Sequence, residues 1–256
     1  MLPKTLKVYA FTAGWLTLPL GLFLEGEKGK LKVPVPCYLV EHPKGRMLFD
    51  SGLHIDTQTD FKTRIGDASK YFTVYFSPGE EIATQLEKLD LCPADIDLLV
   101  NSHLHWDHAG GNEQIADARV VLQEKEWRAA HDSDLIARNG YIPADYDHGH
   151  DLQLVEGEHD VFGDGSVVCV PTYGHTPGHQ SLRLRHGSQE ILLCGDACYL
   201  RRSLEELRLP IAGFNRRQML DSLLRIRQLR DRGARLFYGH DPDFWQTVAI
   251  APSPIF

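Results

Sequence analysis

The 256-residue chain has no excess of positive charge. Its 27 lysines and arginines face 35 aspartates and glutamates, for a formal charge of −8. No basic stripe runs along it, which disfavours nucleic acid as a partner. Long hydrophobic runs are missing too. The stretch from Trp15 to Leu24 is too short to span a bilayer and contains Pro19 and Gly21. The start, Met1-Leu2-Pro3-Lys4-Thr5-Leu6-Lys7, lacks the apolar core and small-residue cleavage site of a signal peptide, so no membrane partner is expected. Cysteine is sparse and odd in number, with no C-x-x-C pair among Cys37, Cys92, Cys169, Cys194 and Cys198. Free thiols in a reducing compartment follow, with the cytoplasm as the expected location. No low-complexity linker or internal repeat divides the chain. Its length suits one domain over residues 1–256 with a sizeable core.

What the chain does contain is a cluster that packing does not explain. His103-Leu104-His105-Trp106-Asp107-His108 places three imidazoles and a carboxylate within one short segment, followed by Ala109-Gly110-Gly111-Asn112. Each would be costly to bury unpaired, and together they would compete for protons. A bound metal, or a pair of them, removes that conflict. The preceding Ile96-Asp97-Leu98-Leu99-Val100-Asn101-Ser102 reads as a buried strand. Residues i and i+2 of an extended segment point the same way, so His103 and His105 aim at one metal. Asp107 and His108 fall where the chain turns, and are placed for a second.

Other apolar runs also end in polar residues. Arg46 to Phe49 ends at Asp50-Ser51-Gly52, and Val167 to Thr172 leads to Tyr173-Gly174-His175. Ile191 to Gly195 ends at Asp196, and Arg235 to Gly239 ends at His240. If these strands are neighbours, their ends converge on one rim. Between them, Ser77-Pro78-Gly79-Glu80 predicts a helix start running to about Leu89. Helical composition covers Gln123 to Arg138. Asn215 to Arg232 carries a cap, an apolar stripe and the stop Gly233. Sheets covered by helices follow, but the pattern does not choose between one sheet and two.

These residues resemble the metallo-β-lactamase superfamily. His103-x-His105-x-Asp107-His108 matches its signature, and Leu48-Phe49-Asp50-Ser51-Gly52 the earlier L-x-D-[ST]-G element. Gly174-His175-Thr176-Pro177-Gly178-His179, Gly195-Asp196 and Gly239-His240 match the later ones in order. The resemblance implies an α+β fold, an αββα sandwich of two packed mixed β-sheets flanked by helices. Val35 to Val40, Asp196-Ala197-Cys198-Tyr199 and the aromatic Trp106 inside the histidine motif are similar to N-acyl-homoserine lactone lactonases.

On this resemblance one metal takes His103, His105 and His175, the other takes Asp107, His108 and His240, and Asp196 bridges them. The set suits two divalent ions. Zinc is expected, and iron, cobalt or manganese would accept the same ligands. The implied reaction is hydrolysis of a lactone ring by hydroxide held at the metal pair. Tyr199 would steady the oxyanion and Asp107 would pass a proton to the leaving oxygen. The other hydrolase reading is another ester, a short-chain lactone, or a thioester of the glyoxalase II type. A signal-binding protein without catalysis is the third reading, and the complete ligand set argues against it. Asp50 and His179 read as supports for the ligands, and Cys198 as redundant beside them. His148-x-His150 reads as a surface pair able to bind metal adventitiously. An acyl chain would need an apolar groove, for which Trp106, Trp15 and Phe214 are candidates, with Leu16, Leu18, Leu20, Phe23, Phe61, Tyr71 and Phe72. The N-terminal apolar stretch could instead be covered by the second copy of a homodimer.

Overall fold

The computed structural model describes residues 5–255. Strands β1 (Lys7–Pro19), β2 (Lys30–His42), β3 (Gly45–Phe49), β4 (Thr73–Tyr75), β5 (Leu98–Val100), β6 (Arg119–Gln123) and β7 (Leu152–Val155) form one sheet in the order β4-β1-β2-β3-β5-β6-β7. Strands β8 (His159–Asp160), β9 (Val167–Pro171), β10 (Gln180–His186), β11 (Gln189–Leu193) and β12 (Arg235–Phe237) form the other, in the order β12-β11-β10-β9-β8. Both are mixed. β3, β5, β6 and β7 are parallel neighbours, as are β11 and β12, and the remaining pairs are antiparallel.

Alternation explains how the sheets stack. Leu39, Leu48 and Leu99 face one hydrophobic cluster, shared with α1 (Thr57–Ile65) and α2 (Ile82–Glu87). Their neighbours Val40, Met47, Phe49 and Val100 face a second cluster, where they meet Val167, Cys169, Leu182 and Leu184 of the other sheet. The helices that follow are α3 (Trp106–Ala109), α4 (Glu124–Ala129), α5 (Ser133–Asn139), α6 (Arg201–Glu205), α7 (Arg216–Asp231) and α8 (Pro242–Trp245). Leu204 of α6 and Leu223 and Ile226 of α7 join the second cluster. The layers are therefore those of an αββα sandwich. Among the described residues, no helix is long and apolar enough to cross a membrane.

Parallel strands end at the same rim. β3 and β5 run together in the first sheet, and β9, β11 and β12 run together in the second. Their C-terminal ends carry Asp50, the histidine motif, His175, Asp196 and His240.

Two local expectations change. Residues 77–80 form a turn, because Gly79 takes a left-handed φ of 93° that a helix cannot use, and α2 starts at Ile82. The run from Gln123 to Arg138 is two helices, split where the Asp132 side chain accepts from the Asp134 and Leu135 amides and caps α5. The apolar segment after Gly14 extends β1, and Leu16, Leu18, Phe23 and Leu24 are buried within this chain.

Helix α7 matches its expected bounds. The Asn215 side chain accepts from the Gln218 amide at 3.1 Å, and Gly233 adopts a φ of 105° past the end. Asn215→Ala should lower stability by about 1 kcal/mol in denaturant unfolding, while Asn215→Gly should cost only a few tenths. An Asn215→Ala variant as stable as wild type would show that the cap contributes nothing.

Candidate metal centre

Five imidazoles and two carboxylates meet at the rim in two groups. His103, His105, His175 and Asp196 form the first, and Asp107, His108 and His240 the second, each with donor atoms within 4.8 Å of one another. In the first, His175 Nε2 lies 3.2 Å from His103 Nε2, 3.0 Å from His105 Nδ1 and 3.3 Å from Asp196 Oδ2. In the second, His108 Nε2 and His240 Nε2 lie 3.2 and 3.1 Å from Asp196 Oδ1, and each is 3.8 Å from Asp107 Oδ2. Asp196 thus turns one oxygen to each group.

Three of the five rings are held on their far side by the first sheet and its loops, while His105 turns Nδ1 to the centre and its Nε2 has no hydrogen-bond partner. His103 Nδ1 meets Ser102 Oγ at 2.9 Å, His108 Nδ1 meets Asp50 Oδ2 at 2.9 Å, and His240 Nδ1 meets the Pro34 carbonyl at 2.8 Å. These partners assign the ring proton to Nδ1 and leave each Nε2 as a bare donor facing the centre. Asp50 serves both groups. Its Oδ2 takes the His108 ring and also the Ser102 hydroxyl at 2.8 Å, while Oδ1 accepts from the Ser102 amide at 2.7 Å. Asp50 itself sits at a φ of 61°, a backbone conformation aspartate tolerates better than most residues.

His179 stands behind the centre. Its Nε2 accepts from the Asp196 amide at 3.0 Å, and its Nδ1 meets Thr172 Oγ1 at 2.9 Å. Thr172 in turn meets Ser181 Oγ at 2.8 Å, which donates to the Cys194 carbonyl at 2.8 Å. Both His179 nitrogens are therefore occupied, and the ring fixes the backbone of Asp196. Gly195 has to be glycine, since its φ is 53° and a Cβ would come within 2.8 Å of His179 Nε2.

The electrostatics divide along the same line. Burial, helped by neighbouring imidazoles, pushes His103 and His175 well below the usual histidine range, and burial lowers His105 as well. Burial takes His179 down to about 3. Burial also acts against His108 and His240, yet the nearby Asp196 and Asp107 carboxylates outweigh it and hold both rings above the usual value. Burial opposes ionisation of Asp196, but His108 and His240 overcome it and keep that carboxyl well below its ordinary range.

The residues present fit a pair of metal ions. His108 Nε2 and Asp196 Oδ1 are buried without a hydrogen-bond partner, although they lie 3.2 Å apart. Two nitrogen ligands around 2.0–2.1 Å from a tetrahedral zinc would stand about 3.3 Å from each other, close to the separations seen here. The donor set of imidazole and carboxylate suits zinc and its first-row neighbours.

A cavity of about 680 Å³ opens beside the centre, within the range of small-molecule sites. Leu16, Leu18, Phe23, Phe72, Trp106 and Tyr199 are among its walls. Tyr71 also lines it, at 59% exposure. Trp15 does not. Alternation along β1 sends Leu16 and Leu18 into the cavity and Trp15 to the other face, where the Lys32 ammonium lies 5.5 Å from its ring. Phe214 is outside the wall too. It is 42% exposed, and it is its amide that contributes, donating to the His175 carbonyl at 3.0 Å. Leu20 and Phe61 pack on the first cluster without reaching the lining. Arg64 donates to the Ala144 carbonyl at 3.0 Å and to Asp145, tying together the two segments that flank the cavity. The Cys198 sulfur turns to the Leu200 carbonyl, away from the centre.

Sequence reasoning misses Ser102, Tyr141 and Glu126. Glu126 is 0% exposed, yet a glutamate in a helical run reads as a solvated face. Its spacing to the buried Ala129 and Ala130, at i+3 and i+4, is the signal that could have placed it on the buried stripe.

An αββα sandwich with two such donor groups at its rim defines a class of dinuclear metal-dependent proteins. A family model described as the metallo-beta-lactamase superfamily matches residues 32–240, and the chain belongs to that superfamily. Among curated relatives, N-acyl homoserine lactonase AttM of Azorhizobium caulinodans is 33% identical over 235 residues, covering 89% of each chain. The N-acyl homoserine lactonase of Bacillus cereus is 29% identical over 230 residues, covering 88% of each. An N-acyl homoserine lactone hydrolase structure, with N-hexanoyl-L-homoserine bound at its catalytic metal centre, superposes with a TM-score of 0.87. It is 27% identical and covers 98% of this chain and 100% of its own.

Asp50→Asn would turn an amide toward groups that all donate. Metal affinity of the second group should fall about 10–100-fold, as is usual for a lost ligand support. Calorimetric titration of the metal-free protein measures this, and unchanged affinity would remove Asp50 from that role.

Proposed function

We propose that this protein is a dinuclear metal-dependent hydrolase that opens the lactone ring of N-acyl-homoserine lactones, and so quenches quorum signals. The observation that carries the reading is the junction of the two donor groups with a largely apolar cavity at Tyr199. His103, His105 and His175 would hold one ion, Asp107, His108 and His240 the other, with Asp196 shared. Zinc is the metal the donor set favours. When bound, such a pair supplies Lewis acidity and acidifies water near neutral pH.

The rest falls to the chain. The Tyr199 hydroxyl lies 2.9 Å from His175 Nδ1. With His175 Nε2 turned to the other donors, Nδ1 keeps the proton and donates a hydrogen bond to the tyrosine oxygen. The phenolic hydrogen is then available to the lactone carbonyl oxygen as negative charge develops there. Burial pushes the Tyr199 hydroxyl well above its ordinary value, so it stays protonated and able to donate. Its ring is fixed by stacking on Phe23, with centroids 4.3 Å apart. Asp107 lines the cavity and belongs to the second group, and it would take a proton from the attacking water and pass it to the departing ring oxygen. Leu16, Leu18, Phe72 and Trp106 give the acyl chain an apolar wall and exclude water from it. All five cysteines are free and four are buried, in keeping with a reducing compartment such as the cytoplasm.

Metal-loaded protein should release acid from N-hexanoyl- and N-decanoyl-homoserine lactone in a pH-stat assay. No turnover at any chain length would overturn the assignment, and turnover of thioesters alone would move it to another hydrolase class. Tyr199→Phe should lower kcat roughly 10²-fold, the scale of one lost oxyanion donor, with little change in bound metal. Removal of metal by chelation should abolish turnover and lower the melting temperature, both restored by added zinc.

A further inference from the structure

The Glu126 carboxylate is met on every recorded side by donors. Oε1 accepts from the Leu104 amide at 3.1 Å and from the Tyr141 hydroxyl at 2.9 Å, and Oε2 accepts from the Gly178 amide at 2.9 Å. These donors come from three separate segments. Leu104 stands between His103 and His105. Gly178 closes the turn that starts at His175. Tyr141 is part of the cavity wall, its ring 5.6 Å from that of His105. The approach at Gly178 is close, for a Cβ there would come within 2.2 Å of the Glu126 backbone nitrogen.

We propose that Glu126 is the positioning residue of the first donor group. One buried carboxylate, accepting from both ligand-bearing loops, sets the spacing of His103 and His105 against His175. Through Tyr141 it makes the cavity wall part of the same hydrogen-bonded unit. The proposal rests on the reading that these histidines hold a metal. An amide cannot replace the carboxylate, because every partner donates. Whichever way a glutamine is turned, its NH₂ faces an N–H or O–H. Either the histidine-motif loop or the His175 loop then loses its anchor.

The test compares full-length wild type, Glu126→Gln and Tyr141→Phe, each loaded with Co²⁺, in chelator competition followed by visible absorption. The band retained in His240→Ala marks the first group. Wild type is expected to bind two ions. Glu126→Gln should weaken the first group about 10–100-fold and alter its band, leaving the second as in wild type. Tyr141→Phe should weaken the same group by less. Two equally tight ions in Glu126→Gln would overturn the proposal while leaving the metal centre intact, and so would equal weakening of both groups, which marks a general packing role. A wild-type chain that binds no ion would overturn the metal centre and this proposal with it. If Glu126→Gln loses its circular-dichroism spectrum, Tyr141→Phe decides the matter, and unchanged affinity at its first group overturns the proposal.

Discussion

The carboxylate of Asp196 stands between two sets of imidazole nitrogens, and much of the surrounding structure serves to hold it there. Its oxygens lie 3.1 to 3.3 Å from His240, His108 and His175. So short a set of contacts between groups that share too few protons is stable only when the backbone cannot relax away from it. That rigidity is supplied from behind. His179 grips the Asp196 amide, and the hydroxyls of Thr172 and Ser181 carry its remaining hydrogen bond to the Cys194 carbonyl. Each polar atom in that chain has a partner, so it costs little to bury and leaves little freedom to move.

The sandwich architecture makes the arrangement reachable. Asp50 and the histidine motif leave the first sheet at neighbouring parallel strands, and His175, Asp196 and His240 leave the second from strands running alike. Packing the two sheets face to face brings both sets of strand ends to one rim. The conflict between burial and charge is then local. In the first group burial drives the imidazoles toward the neutral form that a metal requires, and in the second the carboxylates draw protons in. A pair of cations answers both demands, replacing protons in one group and filling bare nitrogens in the other.

Much of this was legible along the chain because strands ending in a polar residue announce themselves. Val167 to Pro171, Gln189 to Leu193 and Arg235 to Phe237 each finish on apolar residues, and each is followed within a few residues by a donor. The cavity was less legible. Trp15 and Phe214 are large and apolar, but which face of β1 meets the cavity depends on a register shift in the β1–β2 pairing between Thr12 and Trp15. Phe214 lies where a loop enters α7, and no periodicity governs its direction. Glu126 was hidden for a different reason. A carboxylate's environment is a property of its neighbours in space, and its three donors lie 15 to 52 residues away.

Read along the chain, the residues disclose the chemistry: which side chains could bind metal, their order, and the strands that would present them. Those properties are local, carried by alternation, turns and the identity of each donor. The distances that set the donors in two groups with one Asp196 oxygen turned to each, the side chains that wall the cavity, and the contacts by which Glu126 reaches both loops come from the tertiary packing. Distances of about 3 Å between residues far apart in the chain come from the packing of two sheets, and no window of sequence contains them.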